Sequence, residues 1–353
     1  MRVPGRLCST AMREVDVPQR LAQLQHWLSH ELGLPAYEIA AASSDASFRR
    51  YFRIRFGGES RIVMDAPPEK EDSRSFVRIA RLLHALGLHV PEIHAEDLAQ
   101  GFLLLSDLGS QSYLEQLNGE NVATLYGDAM GALAVLQACG PDGDSLPLYD
   151  EPLLRQEMGL FRDWYLQRHL GLQLTASEQQ VLDQTYTRLV QMALEQPRVA
   201  VHRDYHSRNL MVCGHNPGIL DFQDAVYGPL SYDLVSLLRD CYIVWPREQV
   251  EGWVMGYHQL ALDHGILREP QQERFMQWFD WMGVQRHLKA CGIFARLHHR
   301  DGKPGYLGDI PRTLGYVAQV AKAYPELGEF ARLLEDRGVM ALPLTPVPSA
   351  PDR

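Results

Sequence analysis

Residues 198–228, RVAVHRDYHSRNLMVCGHNPGILDFQDAVYG, decide how the rest of the chain is read. Val199 to Val201 is a short β-rich run that ends in His202-Arg203-Asp204, and four residues then separate Asp204 from Asn209. A second apolar run, Leu210 to Cys213, reaches Gly214-His215-Asn216-Pro217-Gly218, which has the composition of a turn. A third, Ile219-Leu220, delivers Asp221. The order is strand, loop, strand, turn, strand, with Asp204, Asn209 and Asp221 at strand ends where their polar heads can converge.

Phosphoryl transfer needs that set of groups, because the protein must hold a metal ion on the phosphates and orient an incoming hydroxyl while doing little covalent chemistry itself. One carboxylate takes the hydroxyl proton; an amide and a second carboxylate hold metal. The spacing matches the protein-kinase signature H-R-D, four residues, N, followed by D-F-G, through His202, Arg203, Asp204, Asn209 and Asp221-Phe222, with Gln223 in place of the glycine. Asp204, Asn209 and Asp221 are therefore the expected catalytic residues, with Asn209 and Asp221 as Mg²⁺ ligands and ATP as donor.

Composition agrees with an enzyme of this kind. A chain of 353 residues, 46% of them hydrophobic, can bury a large core and divide into two lobes. A net charge of -10 and a pI near 5.8 argue against a nucleic-acid or anionic-membrane surface. Cys8, Cys139, Cys213, Cys241 and Cys291 are odd in number, widely spaced and contain no C-x-x-C pair, which suggests neither a disulfide framework nor a zinc site. A reducing cytoplasm is the expected location; no apolar h-region of secretory length opens the chain, and no later apolar run reads as long enough to span a bilayer. Residues 1–17 read as a flexible leader, with Met12 an alternative start.

Residues 18–108 read as a small β-rich lobe. Leu21, Leu24, Trp27 and Leu28 share a helical face that Gly33 and Pro35 close. Tyr37 to Ala42, Tyr51 to Phe56 and Arg61 to Met64 read as strands, the first two joined by the polar loop Ser43-Ser44-Asp45-Ala46-Ser47. Such a loop can cover nucleotide phosphates with backbone N–H groups and hydroxyls, so Ser43, Ser44 and Ser47 are candidate ligands, although an ordinary hairpin reads the same way. Kinases carry a lysine on the third strand; here Met64 stands at that place. The chain has only Lys70, Lys289, Lys303 and Lys322, so Arg49, Arg50, Arg53 or Arg61 must meet the phosphate charge, and Arg49 or Arg50, nearest the loop, are preferred. A helix through Phe76, Ile79, Leu82, Leu83 and Leu86 follows, then strands at Val90-Pro91 and Gly101 to Leu105. The run ends in Ser106-Asp107-Leu108, in position for an interlobe hinge that reads adenine.

Residues 109–340 read as a mainly helical lobe around the catalytic hairpin, with helices at 122–136, 153–166, 178–194, from Tyr232, and at 253–262, 275–297 and 314–324. Asp233 reads either as a helix N-cap or as a brace for the catalytic loop. Residues 341–353, rich in proline, read as a flexible tail.

The motifs HRDYHSRN (202–209) and ILDFQD (219–224), followed by Gly228-Pro229 and Tyr232-Asp233-Leu234, resemble the aminoglycoside phosphotransferase and choline kinase family. The resemblance covers roughly residues 20–335. It implies an α+β, two-lobed protein-kinase-like fold that binds ATP and Mg²⁺, and it points to His206, Arg208 and Asp224 as substrate contacts. Within the family, Met64 to Pro68 and Gln285 to Tyr306 resemble the bacterial kinases of cell-wall recycling that phosphorylate an N-acetylated amino sugar at its anomeric C1 hydroxyl.

Charge supports that branch independently. Between Arg286 and Arg300 there is no acidic residue, while Arg286, His287, Lys289, Arg296, His298, His299 and Arg300 are basic or titratable. A cationic aminoglycoside or choline would be met by carboxylates or an aromatic cage; arginine forks suit a sugar acid such as N-acetylmuramate. Arg296 and Arg300 are the expected carboxylate contacts, the alternative being that the run is a basic helix face in water, since residues of a helical window cannot all face one pocket. A kinase for another small alcohol or aminoglycoside, and a pseudokinase that only binds nucleotide, remain open at this stage. Oligomeric state is not legible.

Overall fold

The computed structural model describes residues 17–44 and 48–339, and the chain clusters into two compact units. One runs to Ser73 and includes Ile93–Asp107; the other holds Arg74–Glu92 and the chain from Leu108 onward. Residues 1–16 of the expected leader and the whole expected tail, 341–353, lie outside the described residues.

The smaller unit is a five-stranded antiparallel sheet with one helix. Helix α1 (Val17–His26) runs into a π-helical turn at Trp27–Glu31. Strands β1 (Glu38–Ser44), β2 (Arg50–Phe56), β3 (Glu59–Asp65), β4 (Ile93–Asp97) and β5 (Phe102–Ser106) lie in the order β1-β2-β3-β5-β4. Gly57 and Gly58, with φ of 56° and 82°, make the two-residue turn whose twist matches the β2–β3 hairpin. Leu24, Trp27 and Leu28 bury their face against Ile54, Val63, Phe102 and Leu104, so the spacing read as a helical stripe is the stripe that covers the sheet. No strand forms at Val90-Pro91, where one was expected: proline has no N–H for a ladder, and β4 starts only at Ile93.

The larger unit is mainly helical. It contains α2 (Ser73–Ala85, from Arg74), the single turn α3 (Tyr113–Gln116), α4 (Val122–Cys139), α5 (Glu151–Leu160), α6 (Ala176–Leu194), α7 (Tyr232–Leu238), α8 (Arg247–Asp263), α9 (Gln272–Asp301), α10 (Ile310–Ala323) and α11 (Gly328–Asp336). Within it β6 (Arg198–Val201) pairs with β9 (Val226–Pro229), and β7 (Leu210–Met211) with β8 (Gly218–Ile219). Strand β9 was not read from the sequence because Gly228-Pro229 looks like a turn. Gly228 is required there by packing, since a Cβ on it would lie 2.6 Å from the Cβ of Tyr149.

Helix α4 corrects a second expectation. Its 18 residues, mean hydropathy 1.3, reach what a bilayer span requires by length and composition. Here the same apolarity faces core: Leu125, Tyr126, Ala129, Leu133 and Leu136 are buried, Gln137 donates to the Leu230 carbonyl at 3.0 Å, and Trp245 donates to the Tyr126 hydroxyl at 3.0 Å.

Helix α9, 30 residues long, is the spine of this unit and contacts α5, α6, α7, α8 and α10. Its approach to α5 is set at Gly292, where a Cβ would lie 2.3 Å from the Leu160 carbonyl carbon and 2.6 Å from the Phe161 nitrogen. At this contact α5 passes into a π-helical segment, Phe161–His169. Gly292→Ala should destabilise the protein by about 1–3 kcal/mol through overpacking against that backbone. Gly159→Ala on α5, where an added methyl meets nothing within 4 Å, should be neutral or slightly stabilising. Urea unfolding of both variants checks this; equal midpoints for the two would contradict the contact.

Candidate active site

The catalytic loop leaves β6 through a backbone conformation that side chains resist. Arg203 has φ of 78°, at a cost of about 1–2 kcal/mol for a residue with a Cβ. Asp233, in the first turn of α7, offsets that cost: its two carboxylate oxygens accept the N–H of His202 at 2.6 Å and of Arg203 at 2.9 Å. The helix is not capped by it, because the N-cap residue is Ser231, so the brace is the correct one of the two readings of Asp233. Burial pushes the Asp233 carboxyl up to about 7, against the pull of those amides. A second carboxylate, Asp240, holds the middle of the loop through the Ser207 N–H at 2.9 Å and the Ser207 hydroxyl.

Asp204, Asn209 and Asp221 come together. The Asn209 amide nitrogen donates to the Asp204 carbonyl at 3.0 Å and to Asp221 Oδ2 at 3.3 Å. The Leu220 N–H donates to the Asn209 carbonyl at 2.9 Å, which ties the arms of the β7–β8 hairpin at the level of these residues. Asp221 also has a positive φ, 62°. Gln223, standing where the kinase signature has glycine, donates to Asp221 Oδ1 at 2.7 Å and fixes that carboxylate. Phe222 stacks on Phe76 of α2 with centroids 4.9 Å apart, and Ser75 donates to the Gln223 carbonyl at 2.8 Å. The Asp221 carboxylate and the Asn209 amide, held together through that nitrogen, supply oxygens of the hard kind that can hold a divalent cation. No group of three or more His, Cys, Asp or Glu among the described residues is arranged to hold a metal unaided.

The charge around Asp204 comes from α9. Burial pushes its carboxyl up, but Lys289, His206, Arg286 and Arg203 together outweigh burial and hold it below the usual range, so it is ionised and ready to accept a proton. Lys289 is buried and paired with Glu157 of α5 at 3.0 Å, and it donates to the Tyr232 hydroxyl at 2.9 Å. Glu157 also takes the guanidinium of Arg203 and the Tyr149 hydroxyl. Burial raises the Glu157 carboxyl, and the Lys289 and Arg203 cations more than reverse it. One buried carboxylate thus joins the catalytic loop to α9 through two cations.

The expected substrate contacts distribute unevenly. His206 is half-buried and meets Tyr242 edge-on at 5.4 Å. Arg208 lies over the Tyr242 ring at 3.6 Å, with the Tyr306 ring at 5.6 Å. Asp224 is exposed, and its carbonyl accepts from Arg203 at 3.3 Å. Arg300 is exposed and paired with Asp301 at 2.7 Å, and Arg296 is half-buried. They stand about 21 Å and about 15 Å along α9 from Arg286 at 1.5 Å per residue. The basic residues of this helix that act on Asp204 are Arg286 and Lys289.

In the smaller unit each candidate arginine has a carboxylate. Arg50 and Arg20 both pair with the fully buried Asp65 at the end of β3, Arg49 with Glu71 at 3.1 Å, and Arg61 with Glu59 at 2.8 Å. Asp107 receives Arg53 through two bonds, at 2.6 and 3.0 Å, and the Ser60 hydroxyl. Ser106 pairs with Arg61 in the β3–β5 ladder, and Leu108, the first residue of the other unit's second segment, is buried against Gly218. Ser43 and Ser44 end β1 and their side chains are not described; Ser47 lies outside the described residues.

A model of the phosphotransferase enzyme family matches residues 38–279. The chain is 49% identical over 335 residues to a Pseudomonas putida protein named N-acetylmuramate/N-acetylglucosamine kinase, an alignment that covers 92% of this chain and 98% of that one. The chain belongs to the phosphotransferase enzyme family. Among solved structures, the Plasmodium vivax ethanolamine kinase superposes with a TM-score of 0.62 at 9% identity, over 91% of this chain and 93% of that one. An ADP-bound aminoglycoside phosphotransferase gives 0.56 at 15% identity, over 85% and 98%. These likenesses show that the phosphotransferase has the kinase-like fold expected from its catalytic motif.

Sequence reading missed Glu157, Asp240 and Gln223 as parts of this phosphotransferase site. Glu157 and Asp240 carry no local signal, Glu157 lying in an ordinary helical stretch whose importance appears only when α5 is laid against α9, whereas Gln223 was visible as the departure from the signature's glycine but its bond to Asp221 was not. His202 was read as motif, and its role is structural. Buried, with Nδ1 accepting the Asp204 N–H at 3.3 Å, its imidazole has its pKa lowered to about 4, and burial lowers that of His287 to about 3. Both rings are neutral in the fold yet take a proton near pH 6.5 when unfolded. Their contribution is therefore complete above about pH 6.5 and is lost as pH falls towards 4, on the order of a few kcal/mol. Asp233, raised to about 7, works the other way over the same range, so the readout is the difference between proteins: urea unfolding at pH 7, 6 and 5 should show His202→Gln losing less stability than the wild type as pH falls, and equal changes in the two would contradict the assignment.

Proposed function

We propose that this phosphotransferase moves the γ-phosphoryl group of ATP to the anomeric C1 hydroxyl of N-acetylmuramate and N-acetylglucosamine, a step of peptidoglycan recycling towards UDP-N-acetylmuramate. The observation that carries the chemistry is the Asn209 amide, which bonds both the Asp204 carbonyl and the Asp221 carboxylate and so holds a proton acceptor beside a cation site. The choice of sugars rests on the similarity to the Pseudomonas putida kinase, at 49% identity over nearly the whole of both chains.

Each residue then has one task. Asp204, kept ionised by the cations around it, accepts the hydroxyl proton as the phosphoryl group is transferred. Asn209 and Asp221 would hold Mg²⁺, which would neutralise charge on the phosphate oxygens of bound ATP. Gln223 fixes the Asp221 carboxylate that would take the cation. His206 and Arg208, on the loop that carries Asp204, are assigned to the sugar.

A coupled assay of ADP release should show turnover with N-acetylmuramate and N-acetylglucosamine and none with choline or an aminoglycoside. The product should lose its reducing end; a product that still reduces would place the phosphate elsewhere than C1. Asp204→Asn should lower kcat by about 10² or more with ATP affinity nearly intact, whereas Asp221→Ala should abolish Mg·ATP binding together with turnover. Full activity of Asp221→Ala, or of the wild type in excess chelator, would contradict the metal assignment.

A further inference from the structure

Of the cations gathered near the catalytic loop, one has no carboxylate. Arg203 and Lys289 share Glu157, and Arg239 has Asp280. Arg286 is 5% exposed and forms no ion pair within 4 Å among the described residues. Its one acceptor is the thiol of Cys241, a weak one, at 3.6 Å, and its Nε–H has none. A guanidinium carries five N–H donors in a fixed plane, and burying its charge without an anion is costly. His206 Nδ1, on the catalytic loop, is also buried without a hydrogen-bond partner, and the ring meets Tyr242, the residue after Cys241, edge-on at 5.4 Å. Two unpartnered nitrogen groups thus adjoin the carboxylate that takes the proton.

We propose that Arg286 receives the carboxylate of the acceptor sugar, with His206 alongside, and is the residue by which the enzyme recognises N-acetylmuramate. The inference rests on the function proposed above, in which the two sugars differ by a single lactyl carboxylate. A planar fork matches two carboxylate oxygens, and the site supplies that fork buried and without an ion pair of its own within 4 Å among the described residues. Cys241, whose thiol accepts from Arg286, stands in the chain between Asp240, which holds Ser207 of the catalytic loop, and Tyr242, which meets His206 edge-on. The fork is therefore assigned to the acceptor, on the side of the loop that carries His206.

The test compares N-acetylmuramate, its methyl ester and N-acetylglucosamine as substrates of the full-length enzyme and of Arg286→Lys and Arg286→Met. The wild type should prefer the acid to the ester. In Arg286→Met the ratio of kcat/KM for N-acetylmuramate to that for N-acetylglucosamine should fall about tenfold to hundredfold, the loss expected for one charge-assisted hydrogen-bond pair. The preference for acid over ester should disappear with it, and Arg286→Lys should lie between. The ratio is taken on one preparation, so a smaller folded fraction does not alter it. An unchanged ratio, or an equal loss for both sugars, would overturn the inference; so would a wild type that handles acid and ester alike, a result that needs no variant to fold. Wild-type enzyme that phosphorylates neither sugar would instead overturn the proposed function, and this inference with it.

Discussion

The carboxylate of Asp233 accepting two successive backbone N–H groups is the contact on which the catalytic loop depends. Without it the left-handed turn at Arg203 has no compensation, and Asp204 would leave β6 in another direction. Because the bonds go to backbone, the side chains of His202 and Arg203 are released for other work. His202 fills a buried position as a neutral ring; Arg203 reaches Glu157 and the Asp224 carbonyl. A helix end fixes the loop's path, and a buried ion pair fixes its distance from α9.

That ion pair is a cluster with one anion at its centre. Glu157 receives Arg203, Lys289, the Tyr149 hydroxyl and, more loosely, Gln285 at 3.4 Å. The partners come from the catalytic loop, from the segment before α5 and from α9, so the cluster is satisfied only when the loop, α5 and α9 are all in place. Buried ion pairs add little net stability but are damaging to half-remove, and a contact of that kind is better suited to setting geometry than to driving folding. The apolar packing that drives folding lies elsewhere in the same unit, with α4 and the close approach of Gly292 to Leu160.

The fold was legible where the signal was local. Strands β1, β2 and β3, the helical face of Leu24, Trp27 and Leu28, and the convergence of Asp204, Asn209 and Asp221 follow from alternation, period and spacing within short windows. What escaped was non-local or disguised. Strand β9 ends in Gly-Pro and is a strand only because β6 lies beside it. Helix α11 starts at Gly328, three residues after Pro325, and its breakers hid its period. The bases of α9 formed one run on paper, but a helix spreads such a run over several turns. Arg286 and Lys289 act on Asp204 while Arg300 pairs with its own neighbour near the far end.

Charge placement ties these observations together. The chain is acidic as a whole, with a net charge of -10, yet the cations acting on Asp204 come from α9 and from the loop itself. In water a surplus of carboxylates would repel both an anionic nucleotide and a sugar acid. Inside the protein the sign that matters is the local one, because low dielectric makes near charges dominate far ones. Lys289 is fully committed to Glu157 and Tyr232 and acts on Asp204 only as a fixed field. Gln223 does for Asp221 with a neutral amide what a cation would do at the expense of neutralising it: it turns the carboxylate while leaving its charge available for metal. The site thus keeps one carboxylate ionised by surrounding cations and the other oriented by a neutral donor, and two acids of the same type are given different chemistry by what stands next to them.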